Sequence, residues 1–227
     1  MPQPDSSSRV PAAPPGRVAG VAIVASAVLA LAAVARHPTV SAAHGPADVL
    51  AQIVALSVAD EVVHGVLIVL VGVLFYGFTV FSLRRGLDHG TVLGGLIAYA
   101  LASVGMIGAA LIDGFVIPAL GARYASASPQ NAAMAMHLLA AAAATIQVLS
   151  KFAIAATAVA LALWSVGLVR ATGGLRAAGL IGLASAVLPV IVLVMTRQLN
   201  PHSLGVILSI QTIWYVAVGV LLIRRDV

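Results

Sequence analysis

Asp60, Glu61 and His64 stand at the start of an otherwise apolar segment, "SVADEVVHGVLIVLVGVLFYGF", residues 57–78. Spacings of three and four put all three on neighbouring positions of one helix face. The pair Glu61-Val-Val-His64 has the Glu-x-x-His spacing that supplies ligands in di-iron helix bundles. Those bundles need two such pairs and further carboxylates, and Glu61 is the only glutamate in the chain. A second acid, Asp113, lies in "ALIDGFVIP", and the single lysine, Lys151, lies in "TIQVLSKFAIAA" one turn after Gln147. Ionisable groups within apolar segments are costly to bury and usually paired. Two chemistries fit them. One is a structural ion-pair layer, with Lys151 against Glu61 or Asp113. The other is a ligand, proton or metal site.

For a metal, His64, Glu61 and His137 are the candidate ligands. "NAAMAMHLL" also sets Met134 and Met136 beside His137, a soft group suited to Cu(I). A divalent metal or copper therefore stays open as a cofactor. Haem would need two histidines at equal depth on facing helices, and His137 counts about ten residues farther out than His64, so haem does not fit. The chain contains no H-E-x-x-H, G-x-S-x-G or Walker loop. It has no cysteine either, which excludes disulfides, thiolate zinc and iron–sulfur clusters.

The elements that must carry these groups are membrane helices. Of 227 residues, 61% are hydrophobic and 8% are charged, with mean hydropathy +1.10. Soluble domains are roughly a quarter charged. Apolar runs long enough to span a bilayer fall at about 18–35, 64–83, 91–112, 148–169, 177–196 and 203–223. Residues 1–16, rich in Pro and Ser, read as a disordered tail. The first run resembles a secretory signal in its Ala33-Val34-Ala35 end, but exceeds the usual apolar length, which favours a retained helix.

Eight arginines (9, 17, 84, 85, 170, 176, 224 and 225) fall on one side of six alternating spans and three (36, 123 and 197) on the other. That bias places both termini in the cytoplasm, and the Arg- and Ala-rich composition suggests a bacterial cytoplasmic membrane. The pI near 10.5 comes from these loop arginines, so it gives no case for nucleic acid.

Two helical patterns, from Pro46 to Arg84 and from Pro129 to Arg170, are about twice the length of a membrane crossing. Their outer halves, about 46–62 and 129–146, are expected to form an extracytoplasmic cap. Counting about 20 residues back from the arginine anchors brings His64, Asp113 and Lys151 to one depth, with Asp60, Glu61 and Gln147 a turn above. The expected fold is thus an all-α, polytopic six-helix bundle with an outer helical cap and a polar layer of Asp60, Glu61, His64, Asp113, Gln147 and Lys151 beneath it. The expected function is non-enzymatic binding of a lipid, small amphiphile or ion, or a transport-related role. The rivals are a membrane metalloenzyme or metal-handling protein using His64, Glu61 and Asp113, and a structural subunit with a membrane-protein partner. Pro189 and the nearby Gly179 and Gly182 raise the further expectation of a broken fifth span, as in transporters.

Overall fold

A computed structural model describes residues 16–40, 45–196 and 198–227. The tail expected over 1–16 lies outside these residues apart from Gly16, as do His44 and Arg197. The described chain is all-α: α1 (Gly16–Ala35), α2 (Pro46–Arg85), α3 (Gly90–Leu111), a π-helical turn (Ile112–Val116), α4 (Ile117–Tyr124), α5 (Pro129–Val169), α6 (Gly173–Met195) and α7 (Pro201–Arg224). Among the described residues, six helical runs are long and apolar enough to cross a membrane, α3 through α4 counting as one.

Proline and small polar residues set the helix starts. Pro46, Pro129 and Pro201 each sit in a first turn, where the missing N–H costs nothing. Ser128 accepts from the Asn131 N–H, and Asn200 and Ser203 form a reciprocal capping box. The helices themselves are apolar around their circumference. Val104, Val194 and Met195 stand 69–79% exposed, a state that suits hydrocarbon and not water.

Neighbour contacts run α1–α2–α3–α5–α6–α7 and back to α1, so six helices close a ring. Its centre is filled by an aromatic cluster. Phe78, Trp164 and Trp214 lie with ring centroids 5.2–5.7 Å apart and near-parallel planes, flanked by Phe81, Tyr99 and Tyr215. Where α1 meets α7, Gly20 and Gly219 bring the backbones together. A Cβ on Gly219 would stand 2.8 Å from the Gly20 carbonyl oxygen, the small-residue packing that membrane helices use.

The long helices are continuous: α2 has 40 residues and α5 has 41. Each is roughly 60 Å long against a hydrocarbon core of ~30 Å. Their N-terminal halves pack together through Leu50, Ile53, Ala132, Ala135 and Leu139. α4 joins this packing through Ile117, Leu120 and Tyr124. The third run therefore continues past residue 112, where the sequence pattern had ended it. Pro118 lacks an N–H and its ring crowds the carbonyl four residues back. The π-turn that ends two residues before it absorbs this conflict, and the helix proceeds. α6 likewise runs unbroken through Pro189.

Candidate functional site

The π-turn decides where Asp113 points. It lies within the turn, and Gly114 packs directly against the His64 ring: a Cβ there would meet His64 Cγ at 2.6 Å. Only a glycine lets α2 and the turn approach this closely. The turn brings Asp113 Oδ2 to 3.3 Å from His64 Nε2.

The third participant is His37, from the segment after α1. Two closing bonds, Arg36 N–H to Ala33 and His37 N–H to Val34, wind the chain off the helix end. They deliver the imidazole into the layer, where its Nε2 lies 3.3 Å from His64 Nε2 and 3.5 Å from Asp113 Oδ2. The two rings meet edge to face, with centroids 4.9 Å apart.

Each ring's other nitrogen is committed elsewhere. His37 Nδ1 donates to the Pro38 carbonyl at 2.7 Å, and His64 Nδ1 donates to the Asp60 carbonyl at 2.9 Å. Nδ1 of each ring therefore carries a proton, because a carbonyl only accepts. The Asp60 carboxylate flanks the same His64 Nδ1, with Oδ1 at 3.2 Å. That N–H is aimed at the carbonyl, and the buried Oδ1 has no hydrogen-bond donor. His64 is buried, and the Asp60 and Asp113 side chains are 15% and 30% exposed. The Asp113 carboxylate, hydrogen-bonded to His37, holds that imidazole's pKa above its ordinary value, against the opposing pull of burial.

Glu61 is exposed on α2, and Met134 and His137 are exposed on α5. Lys151 is half-buried on α5. Gln147 reaches across to the α6–α7 connection, donating to the Leu199 carbonyl at 2.7 Å and accepting the Leu199 N–H at 2.9 Å. Gln147→Ala would leave both backbone groups of a buried residue unpaired, at a cost of about 1–3 kcal/mol. A thermal melt in detergent should show a midpoint several degrees lower. Gln147→Glu, which keeps the acceptor and loses the donor, should fall between the two.

Sequence reasoning missed His37. A loop residue has no helical register from which its direction could be read. Among the described residues, His37, Asp60 and His64 form the group whose ligand atoms lie close enough together, within 4.8 Å, to hold a metal. Asp113 Oδ2 lies 3.3 Å from His64 Nε2 and 3.5 Å from His37 Nε2.

Over this cluster opens a cavity of about 330 Å³. His37, Asp60 and Asp113 form its polar floor, and its walls include Val49, Ile53, Ile117 and Leu139. A larger space of about 430 Å³ lies between α1 and α7, but its lining is aliphatic apart from His202 and Ser209, and no polar groups converge there. No family model, curated protein or solved structure matches this chain. The function must be argued from the site.

Proposed function

We propose that this protein is a multi-pass protein of a bacterial cytoplasmic membrane that binds a small amphiphilic molecule beneath its outer helical cap. Both termini lie in the cytoplasm in this reading, following the arginine bias. The polar head of the ligand rests on His37, Asp60 and Asp113, and its apolar part lies along Val49, Ile53, Ile117 and Leu139. The observation that carries the reading is the 330 Å³ cavity with apolar walls and a polar floor. That size and that lining are typical of small-molecule sites, in which a few polar groups fix orientation and apolar walls supply contact. Its place at the boundary between cap and bundle gives an amphiphile both of the environments it needs.

Ala143 lines the cavity and is exposed on α5, so enlarging it fills the space without disturbing the cap core. Native mass spectrometry of delipidated protein should show one retained lipid-like molecule per chain. Ala143→Trp should lose it at least fivefold relative to wild type, while His137→Ala should retain it. Equal retention by Ala143→Trp would sink the reading.

A further inference from the structure

We propose that His37, His64 and Asp113 form a four-coordinate transition-metal site of the zinc type, with its fourth position facing the cavity. The inference goes beyond amphiphile binding and stands on the internal geometry of the cluster alone. Three atoms converge: His37 Nε2, His64 Nε2 and Asp113 Oδ2, separated by 3.3, 3.3 and 3.5 Å. With Nδ1 of each ring committed to a backbone carbonyl, both Nε2 atoms present lone pairs once the proton shared between His37 and Asp113 is displaced. A carboxylate oxygen faces them. Such a triangle is held together either by shared protons or by a cation among its three atoms.

The triangle has room for a transition-metal cation. A point equidistant from the three atoms lies ~1.95 Å from each in their plane, and ~2.05 Å when raised about 0.7 Å toward the open side. Zinc bonds to imidazole nitrogen and carboxylate oxygen at ~2.0–2.2 Å. Tetrahedral ligands at that length are ~3.4 Å apart, as here, whereas octahedral neighbours would be ~3.0 Å apart. Two imidazoles and one carboxylate suit zinc and its neighbours better than magnesium or calcium, which prefer all-oxygen sets. No thioether joins the triangle, so the soft Cu(I) set expected around Met134 and His137 has no counterpart in it.

The surroundings match what such ligands require. Metal-bound histidines donate their second N–H to a carbonyl or carboxylate, which orients the ring and raises its basicity. His37 has Pro38 in that place, and His64 has the Asp60 carbonyl with the Asp60 carboxylate beside it. Asp60 is thus a positioning residue, and its unpaired Oδ1 offsets the charge of a cation held one imidazole away. Three protein ligands and one open position are the arrangement of zinc sites that take up water or a ligand oxygen. The floor of the cavity supplies that opening, since His37 and Asp113 line it.

The test uses the full chain in detergent, stripped with a chelator, dialysed and reloaded with zinc or cobalt(II). Wild type should bind about one zinc per chain, and its cobalt form should show the intense visible bands of four-coordinate Co(II). His37→Ala, in a loop, and Asp113→Asn should each reduce occupancy at least tenfold. Asp60→Asn should keep the four-coordinate spectrum but weaken affinity ~10–100-fold, the usual effect of losing an outer-shell partner. Glu61→Gln and His137→Ala should bind as wild type does. Helical content by circular dichroism guards against reading misfolding as lost binding. Absence of stoichiometric metal in well-folded wild type would overturn the proposal and leave shared protons holding the triangle. Metal that survives both His37→Ala and Asp113→Asn, or a weak six-coordinate cobalt spectrum, would overturn it equally. Ala143→Trp should leave zinc stoichiometry unchanged, so failure of the lipid reading and failure of this one are separable.

Discussion

His64→Ala is expected to lower the melting temperature by roughly 6–12 °C, on the order of 3 kcal/mol. The ring is buried between two acids, with Asp60 at one nitrogen and Asp113 at the other. Its removal leaves two carboxylates facing a hollow lined by Gly114, with His37 the remaining donor to Asp113 and none for Asp60 Oδ1. The loss should stay toward the lower end of the usual range for breaking a buried pair, because water still reaches part of Asp113. A double variant, His64→Ala with Asp113→Asn, should be destabilised by less than the sum of the singles, since the second change removes a charge that the first left with one partner fewer. Melts with chelator and with excess zinc divide the effect further. Wild type should gain stability with zinc, as any ligand of the folded state confers, and His64→Ala should gain none. A shift below about 2 °C in both conditions would mean that the histidine and the two acids do not act as a unit.

Much of the fold was legible because membrane crossing depends on run length, which a sequence displays directly. The six spans, the forty-residue reach of α2 and α5, and the Ser128 and Pro129 start all follow from apolar lengths, arginine anchors and first-turn chemistry. Depth was legible too: His64 and Asp113, counted to one level from separate anchors, lie 3.3 Å apart. Rotation was not. A helix apolar all round has no stripe to say which side faces inward, so nothing in the sequence could tell that His64 turns in while Glu61 and His137 turn out. Gln147 was counted into the layer, but its side chain turns toward Leu199. His37 and α4 were missed for two further reasons. A loop histidine has no periodicity to read, and Pro118 looks like a helix end unless the π-turn before it is foreseen.

Gly182→Ala is expected to cost about 3 kcal/mol, or roughly 6–12 °C, from the addition of one methyl group. The added Cβ would overlap Ser165 Oγ and the Trp214 indole nitrogen and stand 2.6 Å from Trp214 Cδ1. The indole cannot retreat, because Trp214 has no exposed surface and lies against Phe78 and Trp164. α6 must then move outward and lose its fit against α5 and α7. Lipid offers little hydrophobic compensation, so packing carries much of the cohesion of the bundle. Gly72→Ala is the matched control: nothing lies within 4 Å of the new Cβ, and alanine is the better helix former, so it should be neutral or stabilising. Ser165→Ala removes the oxygen that the new methyl group would overlap and should restore part of the loss in Gly182→Ala. Because Trp164 and Trp214 are the only tryptophans, selectively excited tryptophan fluorescence reports on this core alone. Its emission should change in Gly182→Ala and stay as in wild type in Gly72→Ala. Equal melting points for the two variants would show that the ring of helices is looser than its aromatic centre implies. Phe78 lies ~21 Å along α2 from His64, so a folded Gly182→Ala protein should still bind zinc. Retained binding beside a lowered midpoint would separate the packing that holds the ring from the polar layer that holds the ligand.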